Sequence, residues 1–410
     1  MLGKYLIINS GSSSLKFSLY EMPETNLIAK GIIERIGQDS EYSINFDGKK
    51  IKKRFGIKNH NQAINVMFSE LLSNELISRI EEIKGVGHRI LHGGEIYSSP
   101  VLIDENVIKD ITELTKFGPL HHPAELAGII GMKEKLLNVP QVAVFDTSFH
   151  QSIPEENYLY AVPYSWYKDY KVRKYGFHGT SYEYILQMLK DYYVKDNINS
   201  IICHIGSGAS ISCIKDGQCY DTSMGLTPLD GIIMGTRSGR IDPSIIEYIC
   251  KELEISVEEV LYALNRKSGL YGIAGVNDFR DIENLANNGN KNAKLAIKMF
   301  EDSIVSYIAN YYFKLNGKLD ALVFTAGIGE NSSTFRKRIV EAISKPMNIY
   351  LNEENNNSIA SFKKEKSGII STLGSKHDVL VIPTDEEYII LKNTYETIKK
   401  SKEKKLILKK

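Results

Sequence analysis

Two stretches about 195 residues apart repeat one design, and that repeat limits the fold more than any other feature. "IINSGSSSLKFSLYE" (Ile7–Glu21) and "IICHIGSGASISCIKDG" (Ile201–Gly217) each run as an apolar strand, a Gly/Ser turn and an alternating strand. With one residue of slippage, Gly11 falls on Gly206, Ser12 on Ser207 and Leu15 on Ile211. A chain that does this twice reads as two domains of related fold, each presenting a loop to a shared cleft. The first turn, Asn9 to Ser14, spans six residues by this reading, whereas hairpin turns commonly need two or three. Gly, Ser and Asn are ordinary turn residues. A polar, glycine-permissive loop at a strand end, followed by Lys16, also suits a phosphate. It lacks the Gly-Lys-Ser/Thr ending of a P-loop.

A chain of 410 residues exceeds one ordinary core, which agrees with two domains. Its 51 basic and 50 acidic residues give a net charge of +1, with no overall pull toward nucleic acid or membrane. No apolar run approaches the ~18 residues of a membrane span. Cys203, Cys213, Cys219 and Cys250 form no CxxC pair and read as reduced thiols, which points to the cytoplasm.

Strand-like and helical segments alternate, so an α/β class is expected, with ligands at the carboxyl ends of strands. Ile28–Ile33 and Tyr42–Phe46 read as strands, with Asp47-Gly48 as a turn, and Gln62–Ile83 as a helix. Apolar strands end at Arg89 and at Asp146, and Ala321–Phe324 leads into Gly327-Ile328-Gly329-Glu330-Asn331 before a helix capped by Ser332 or Ser333. A helix over Lys294–Leu315 carries the stripe Phe300, Ile304, Ile308. Asn284–Asn292 and Asn352–Asn357 read as solvent loops, and "KKSKEKKLILKK" as a frayed tail. Pro123 marks a helix start, placing His121 and His122 at its positive end. Thr180-x-x-Glu183 and Thr384-x-x-Glu387 read as capping boxes, the first just after His178 and the second with Glu386 in its first turn. Each is ordinary capping chemistry alone; together with Arg89, Asp146 and the glycine-bracketed Arg237 they form a candidate site.

"IINSGSSSLKF", "GHRILHGGE", "FGPLHHP", "VFDTSFHQSIP", "YGFHGTSYEY", "DTSMGLTPLDG", "MGTRSG", "VFTAGIGENS" and "IPTDEEY" occur in the order seen in acetate kinases, and the chain resembles that family from near its start to about Lys400. The resemblance implies two ribonuclease H-like (actin-like ATPase) domains flanking a nucleotide cleft. These would be residues 1–148 with 385–400, and residues 149–384, followed by a basic tail at 401–410. It implies a homodimer and reversible Mg-ATP-dependent phosphorylation of acetate to acetyl phosphate and ADP, with Mn²⁺ as an alternative metal. Arg89 would hold the acetate carboxylate, Arg237 and His178 the transferring phosphoryl group, and His121 would support them. Asp146 and Glu386, with Asn9, would position the metal. Asn9, Ser12, Ser14 and Lys16 would serve the phosphates. His204, Gly206, Ser207, Gly208, Asp278, Phe279, Arg280, Gly327, Ile328, Gly329 and Asn331 would serve the nucleotide. Leu91, Leu120, Phe177 and Pro228 map to the apolar acetate pocket. Many members have valine where Leu91 stands, so the extra methylene implies a bias toward acetate over propionate and butyrate.

The chain departs from the family pattern at several points. His122 and Ser207 replace asparagines, Tyr182 a histidine, Arg240 an aspartate and Asp385 an asparagine, and "GVND" is shortened before Asp278. Competing readings are a propionate or butyrate kinase, a pyrophosphate-using variant, and a non-catalytic actin-like nucleotide-binding protein.

Overall fold

The computed structural model describes residues 2–361 and 368–407. Two compact units divide the chain, Met1–Phe149 with Asp385–Lys410, and His150–Thr384. The strands of the first are β1 (Gly3–Gly11), β2 (Ser14–Met22), β3 (Asn26–Glu34), β4 (Ser40–Phe46), β5 (Lys49–Phe55), β6 (Ile83–Ile90), β7 (Val101–Leu102) and β8 (Gln141–Phe145). They form one sheet in the order β5-β4-β3-β2-β1-β6-β8-β7. The second unit holds β9 (Ser200–Ile205), β10 (Ala209–Lys215), β11 (Gln218–Thr222), β12 (Ala321–Thr325), β13 (Gly368–Ile369) and β14 (Asp378–Val381). Its sheet runs β11-β10-β9-β12-β14-β13.

The two sheets share one plan. Three antiparallel strands, β3-β2-β1 or β11-β10-β9, are followed by two that run parallel to the innermost, β6-β8 or β12-β14. The parallel strands are buried on both faces, so "VAVF", "SIICHI" and "ALVFT" are nearly unbroken apolar runs. In the first unit side chains alternate between two layers. Leu6, Ile8 and Val86 join the core that includes Ala63 and Met67 of the helix His60–Ser73, while Tyr5, Ile7, Val142 and Val144 pack on Ile390, Leu391 and Ile398 of the C-terminal helix Glu386–Ile407. That helix lies very close to β6. A Cβ on Gly85 would come within 2.6 Å of Ile398 Cδ1, and one on Gly87 within 2.2 Å of Thr394 Oγ1. In the second unit Phe279, Phe300, Phe324 and Phe335 interlock four elements at ring separations of 5.6–6.0 Å.

Several sequence expectations need correction. The first hairpin turn is two residues long, because Asn9, Ser10 and Gly11 stay in the ladder and Gly11 pairs with Ser14. Backbone pairing is indifferent to their polar side chains. The helix expected over Gln62–Ile83 ends at Ser73. The N-cap position of the helix Gly179–Tyr193 is His178, two residues before Thr180, and its φ of 59° turns the chain into the helix. Thr384 yields the next cap to Asp385, whose Oδ1 accepts from Tyr388 N at 3.0 Å. The asparagine-rich segments lie largely in the helices Phe279–Asn287, Lys291–Lys314 and Glu353–Ser361. Asn356 is buried there as the partner of Arg336, its Oδ1 accepting from Nε at 2.8 Å. The lysine-rich end continues as helix to Ile407, and residues 408–410 lie outside the described residues. Of the two candidate caps after the glycine turn, Ser332 is used, accepting from Phe335 N at 3.2 Å.

Candidate active site

In the first unit, the layer facing the C-terminal helix brings three predicted residues to one end of the sheet. Ile7, Gly87 and Val144 face that helix, so strand alternation puts Asn9, Arg89 and Asp146 on the same side at the carboxyl ends of β1, β6 and β8. Glu386 starts the helix above them. Arg89 donates from Nε and Nη2 to the two oxygens of Asp146 at 3.0 and 2.6 Å, and its Nε lies 3.5 Å from Glu386 Oε2. Asp146 is fully buried. Burial would lower the Arg89 pKa, but the two carboxylates outweigh it and hold the guanidinium more firmly charged than usual.

Leu91, the next pocket residue, is buried, and its N–H donates to Glu125 Oε1 at 3.1 Å. Burial pushes Glu125 up to about 8 and His122 down to about 4. Their 3.8 Å approach is therefore not an ion pair at neutral pH. His121 is the N-cap of the helix His122–Lys135, with Pro123 in its first turn, and Leu120 before it is exposed. In the first hairpin, Ser12 and Lys16 are exposed, Ser14 is half-buried, and the Gly11 carbonyl lies 2.8 Å from His60 Nε2.

In the second unit, three loops meet beyond β9 and β12. A Cβ on Gly206 would lie 3.7 Å from Ala326 Cβ and 3.8 Å from Gly327 N, while Gly235 N donates to Ser207 O at 3.2 Å. A Cβ on Gly208 would stand 3.5 Å from Arg237 Nη1 and 3.6 Å from His178 Nε2. The second hairpin turn thus has a guanidinium and an imidazole beside it. Arg237 Nη1 also reaches the Pro228 carbonyl at 3.4 Å and Met234 Sδ at 3.8 Å, and no ion pair to a carboxylate forms among the described residues. Burial, and then Arg266, lower its pKa. The rings of His178 and His204 stack at 4.1 Å, and buried Phe177 precedes His178 with its carbonyl 2.9 Å from His150 Nε2.

Beside these loops lies a cavity of about 460 Å³, lined in part by Gly206, Ser207, Asp278, Arg280, Ile328 and Asn331. Volumes of ~300–1,000 Å³ suit a small-molecule ligand. Gly327 and Phe279 also line it, although the Phe279 ring is committed to the aromatic core. Asp278 caps its helix and is gripped by both arms of Arg280, at 3.0 and 2.6 Å. The glycine turn is itself a short helix, Ala326–Asn331, entered through Ala326 at φ 64°. Its end is clamped by fully buried Arg336, which donates to Gly329 O and Glu330 O at 2.9 Å.

A profile of the acetokinase family matches residues 4–392. The chain belongs to the acetokinase family. It is 47% identical to the acetate kinase of Staphylococcus haemolyticus over 95% of this chain and 97% of that one. It is 45% identical to the acetate kinase of Thermoanaerobacterium thermosaccharolyticum over 97% of this chain and all of that one. Among solved structures, a propionate kinase from Francisella tularensis superposes with a TM-score of 0.90 at 38% identity, covering 96% of this chain and 99% of that one. The acetate kinase of Porphyromonas gingivalis superposes at 0.89 and 37% identity, covering 97% and 100%. The fold is that of an actin-like ATPase with two domains, each sheet being one copy of the shared plan.

Within this acetokinase, sequence reasoning did not single out Glu125, Arg336, His60, His150 or Ser210. The first two sit on helices, where a charged residue looks like any solvated one; only the fold reveals that both are buried. Tyr182 was visible only as a departure from the family. Among the described residues, no helix is long and apolar enough to cross a membrane, and no cluster of three or more His, Cys, Asp or Glu side chains is arranged as a metal site.

Proposed function

We propose that the chain transfers the γ-phosphoryl group of ATP reversibly to acetate by direct in-line displacement. The convergence of Arg237 and His178 on Gly208, beside the Ser207 cavity, carries this reading. As a member of its family the chain is a phosphotransferase with a carboxyl group as acceptor. Acetate has a pKa near the ~4 of Asp and Glu, so it is ionised at neutral pH and needs no general base. The obstacle is one anion approaching another, and positive charge with exact placement answers it.

Arg89 can do this while bound to Asp146. Its Nε and one Nη2 hydrogen are occupied, leaving the two Nη1 hydrogens and the second Nη2 hydrogen to grip a carboxylate. Leu91 limits the length of the acid, with Leu120, Phe177 and Pro228 as the other apolar contacts. Arg237 and His178 donate to the equatorial oxygens of the transferring group, in either direction. Gly206, Ser207, Gly208 and the Gly327–Asn331 turn take the phosphates and nucleoside, and Asn9, Ser12, Ser14 and Lys16 are further phosphate contacts. Mg²⁺ fits Asp146 and Glu386, with Asn9 as a neutral oxygen donor. The donors are hard oxygens, and magnesium retains several waters. Bound there, the ion would neutralise phosphate charge.

Acyl phosphate trapped as the hydroxamate, with acetate, propionate and butyrate in parallel, tests the reading. Acetate is expected to dominate. Leu91→Val is expected to raise the propionate-to-acetate ratio of kcat/KM roughly tenfold, the lower end of a methylene's ~1–3 kcal/mol. The Francisella neighbour keeps propionate as the second reading, and faster turnover of a longer acid by the unaltered enzyme would select it. No product with any acid would overturn both.

We also propose a homodimer. The helices Ser244–Leu253 and Val257–Arg266 expose Ile245, Tyr248, Leu253, Val257, Leu261 and Tyr262, an apolar surface that a second copy would cover. Sedimentation equilibrium should give twice the chain mass; a monomer at micromolar concentration refutes it. The free cysteines, three of them buried, fit a reducing cytoplasm.

A further inference from the structure

We propose that Tyr182, acting through Ser210, sets the tautomer of His178 and so makes its Nε2 the proton-bearing nitrogen aimed at the phosphoryl group. The inference rests on the reading of His178 as a donor to that group.

Tyr182 lies four residues after His178, so the helix Gly179–Tyr193 carries it back toward the histidine it follows. Its hydroxyl is 2.5 Å from Ser210 Oγ, and Ser210 Oγ is 2.8 Å from His178 Nδ1. Ser210 sits on β10 directly opposite His204 of β9. The two neighbours thus hold one imidazole together: His204 stacks on its face and Ser210 bonds its edge. Both Tyr182 and Ser210 are fully buried.

The direction of the chain follows from the donors. A phenol is a better donor and a poorer acceptor than an aliphatic hydroxyl, because its lone pair is shared with the ring. Burial raises the Tyr182 pKa well above its ordinary value, so the phenol keeps its proton. Tyr182 then donates to Ser210. Ser210 has a single proton, and it goes to Nδ1. His178 Nδ1 is the acceptor and Nε2 carries the hydrogen. Nε2 is also the ring nitrogen nearer Gly208, the residue that Arg237 Nη1 approaches too. A neutral imidazole so held can donate to a phosphoryl oxygen without first becoming imidazolium.

The usual family residue at position 182 is a histidine, whose ring can offer Ser210 either a bare nitrogen or an N–H. That leaves the polarity open, whereas a tyrosine closes it. Tyr182 is a positioning residue, not a catalytic one.

Long-range ¹H–¹⁵N correlation on histidine-labelled enzyme above the imidazole titration, with His178 assigned by His178→Gln, reads the tautomer directly. The unaltered enzyme should show the Nε2–H form. Tyr182→Phe keeps the ring that packs edge-on to His150 at 5.6 Å and removes only the donor. It should give a tautomer mixture and a kcat lowered roughly 10- to 100-fold with KM nearly unchanged, below the ~10⁴ that a wrong tautomer costs a serine-protease triad. Ser210→Ala should give the same mixture. Tyr182→His should lie between. An Nδ1–H form in the unaltered enzyme, or an unchanged tautomer in both Tyr182→Phe and Ser210→Ala, overturns the proposal. The spectrum reports on His178 whether or not any acid is phosphorylated, so failure here and failure of the kinase reading are distinguishable.

Discussion

Replacing Arg237 with alanine is expected to lower kcat by roughly 10³–10⁵, the range an arginine contributes to phosphoryl transfer. KM for acetate should change little, because this residue answers charge that develops on the phosphoryl group and not on the acceptor. The expectation rests on contrast. Arg89 is held by two carboxylates, whereas Arg237 hydrogen-bonds the Pro228 carbonyl and a methionine sulfur and forms no ion pair among the described residues. A partly buried guanidinium without a counter-charge keeps its full field for an arriving anion. It also predicts stability. Removing an uncompensated charge orphans no counter-charge and gives up only two long, neutral hydrogen bonds, so Arg237→Ala should melt within a few degrees of the unaltered enzyme. Lysine restores the charge but not the planar fork, and should recover only a small part of the rate. A kcat within tenfold of normal for Arg237→Ala would remove this residue from the chemistry.

How legible the site was depended on whether its information is local. Arg89 and Asp146 could be read because buried parallel strands are apolar runs, and each run stops where its carboxyl end reaches solvent or ligand. The repeat of Ile7–Glu21 at Ile201–Gly217 anticipated the shared sheet plan because the motif spans adjacent strands. The length of the first turn was misread for a local reason too: polar Asn9 and Ser10 look like loop, yet the β1–β2 ladder pairs their backbones regardless. Other features depend on residues far apart in sequence. Asn356 looks like part of a soluble asparagine run until Arg336, twenty residues earlier, is found buried and in need of neutral acceptors. Tyr182 stood out as a departure, but its meaning required Ser210 on another element. Capping was misplaced by one or two residues because Asp385 and Thr384 are both competent caps, and tertiary contact chose between them: Thr384 Oγ1 bonds Ser181 at 2.7 Å.

Arg89→Met should damage both stability and catalysis, and the two losses can be separated. It leaves the fully buried Asp146 carboxylate without its bidentate partner. Breaking such a pair from one side costs about 3–5 kcal/mol, which thermal or urea denaturation should record as a large drop. The same change removes the group proposed to grip acetate, and kcat/KM for acetate should fall roughly 10³-fold, about 4 kcal/mol of transition-state binding. Arg89→Met with Asp146→Asn removes both charges, so much of the lost stability should return. Activity should not return, because the acetate contact is still missing and a proposed metal position has now gone as well. Arg89→Lys is the complementary test: it keeps a positive charge beside Asp146, hence most of the stability, but loses the geometry that grips two carboxylates at once. If the double variant were as unstable as Arg89→Met, the orphaned Asp146 charge would not be the cause. If Arg89→Lys turned acetate over at the normal rate, the fork would be irrelevant to acetate. The electrostatic cost of folding this end of the sheet and the chemistry done there meet in one guanidinium, and only variants that remove the charge and the geometry separately can assign each its share.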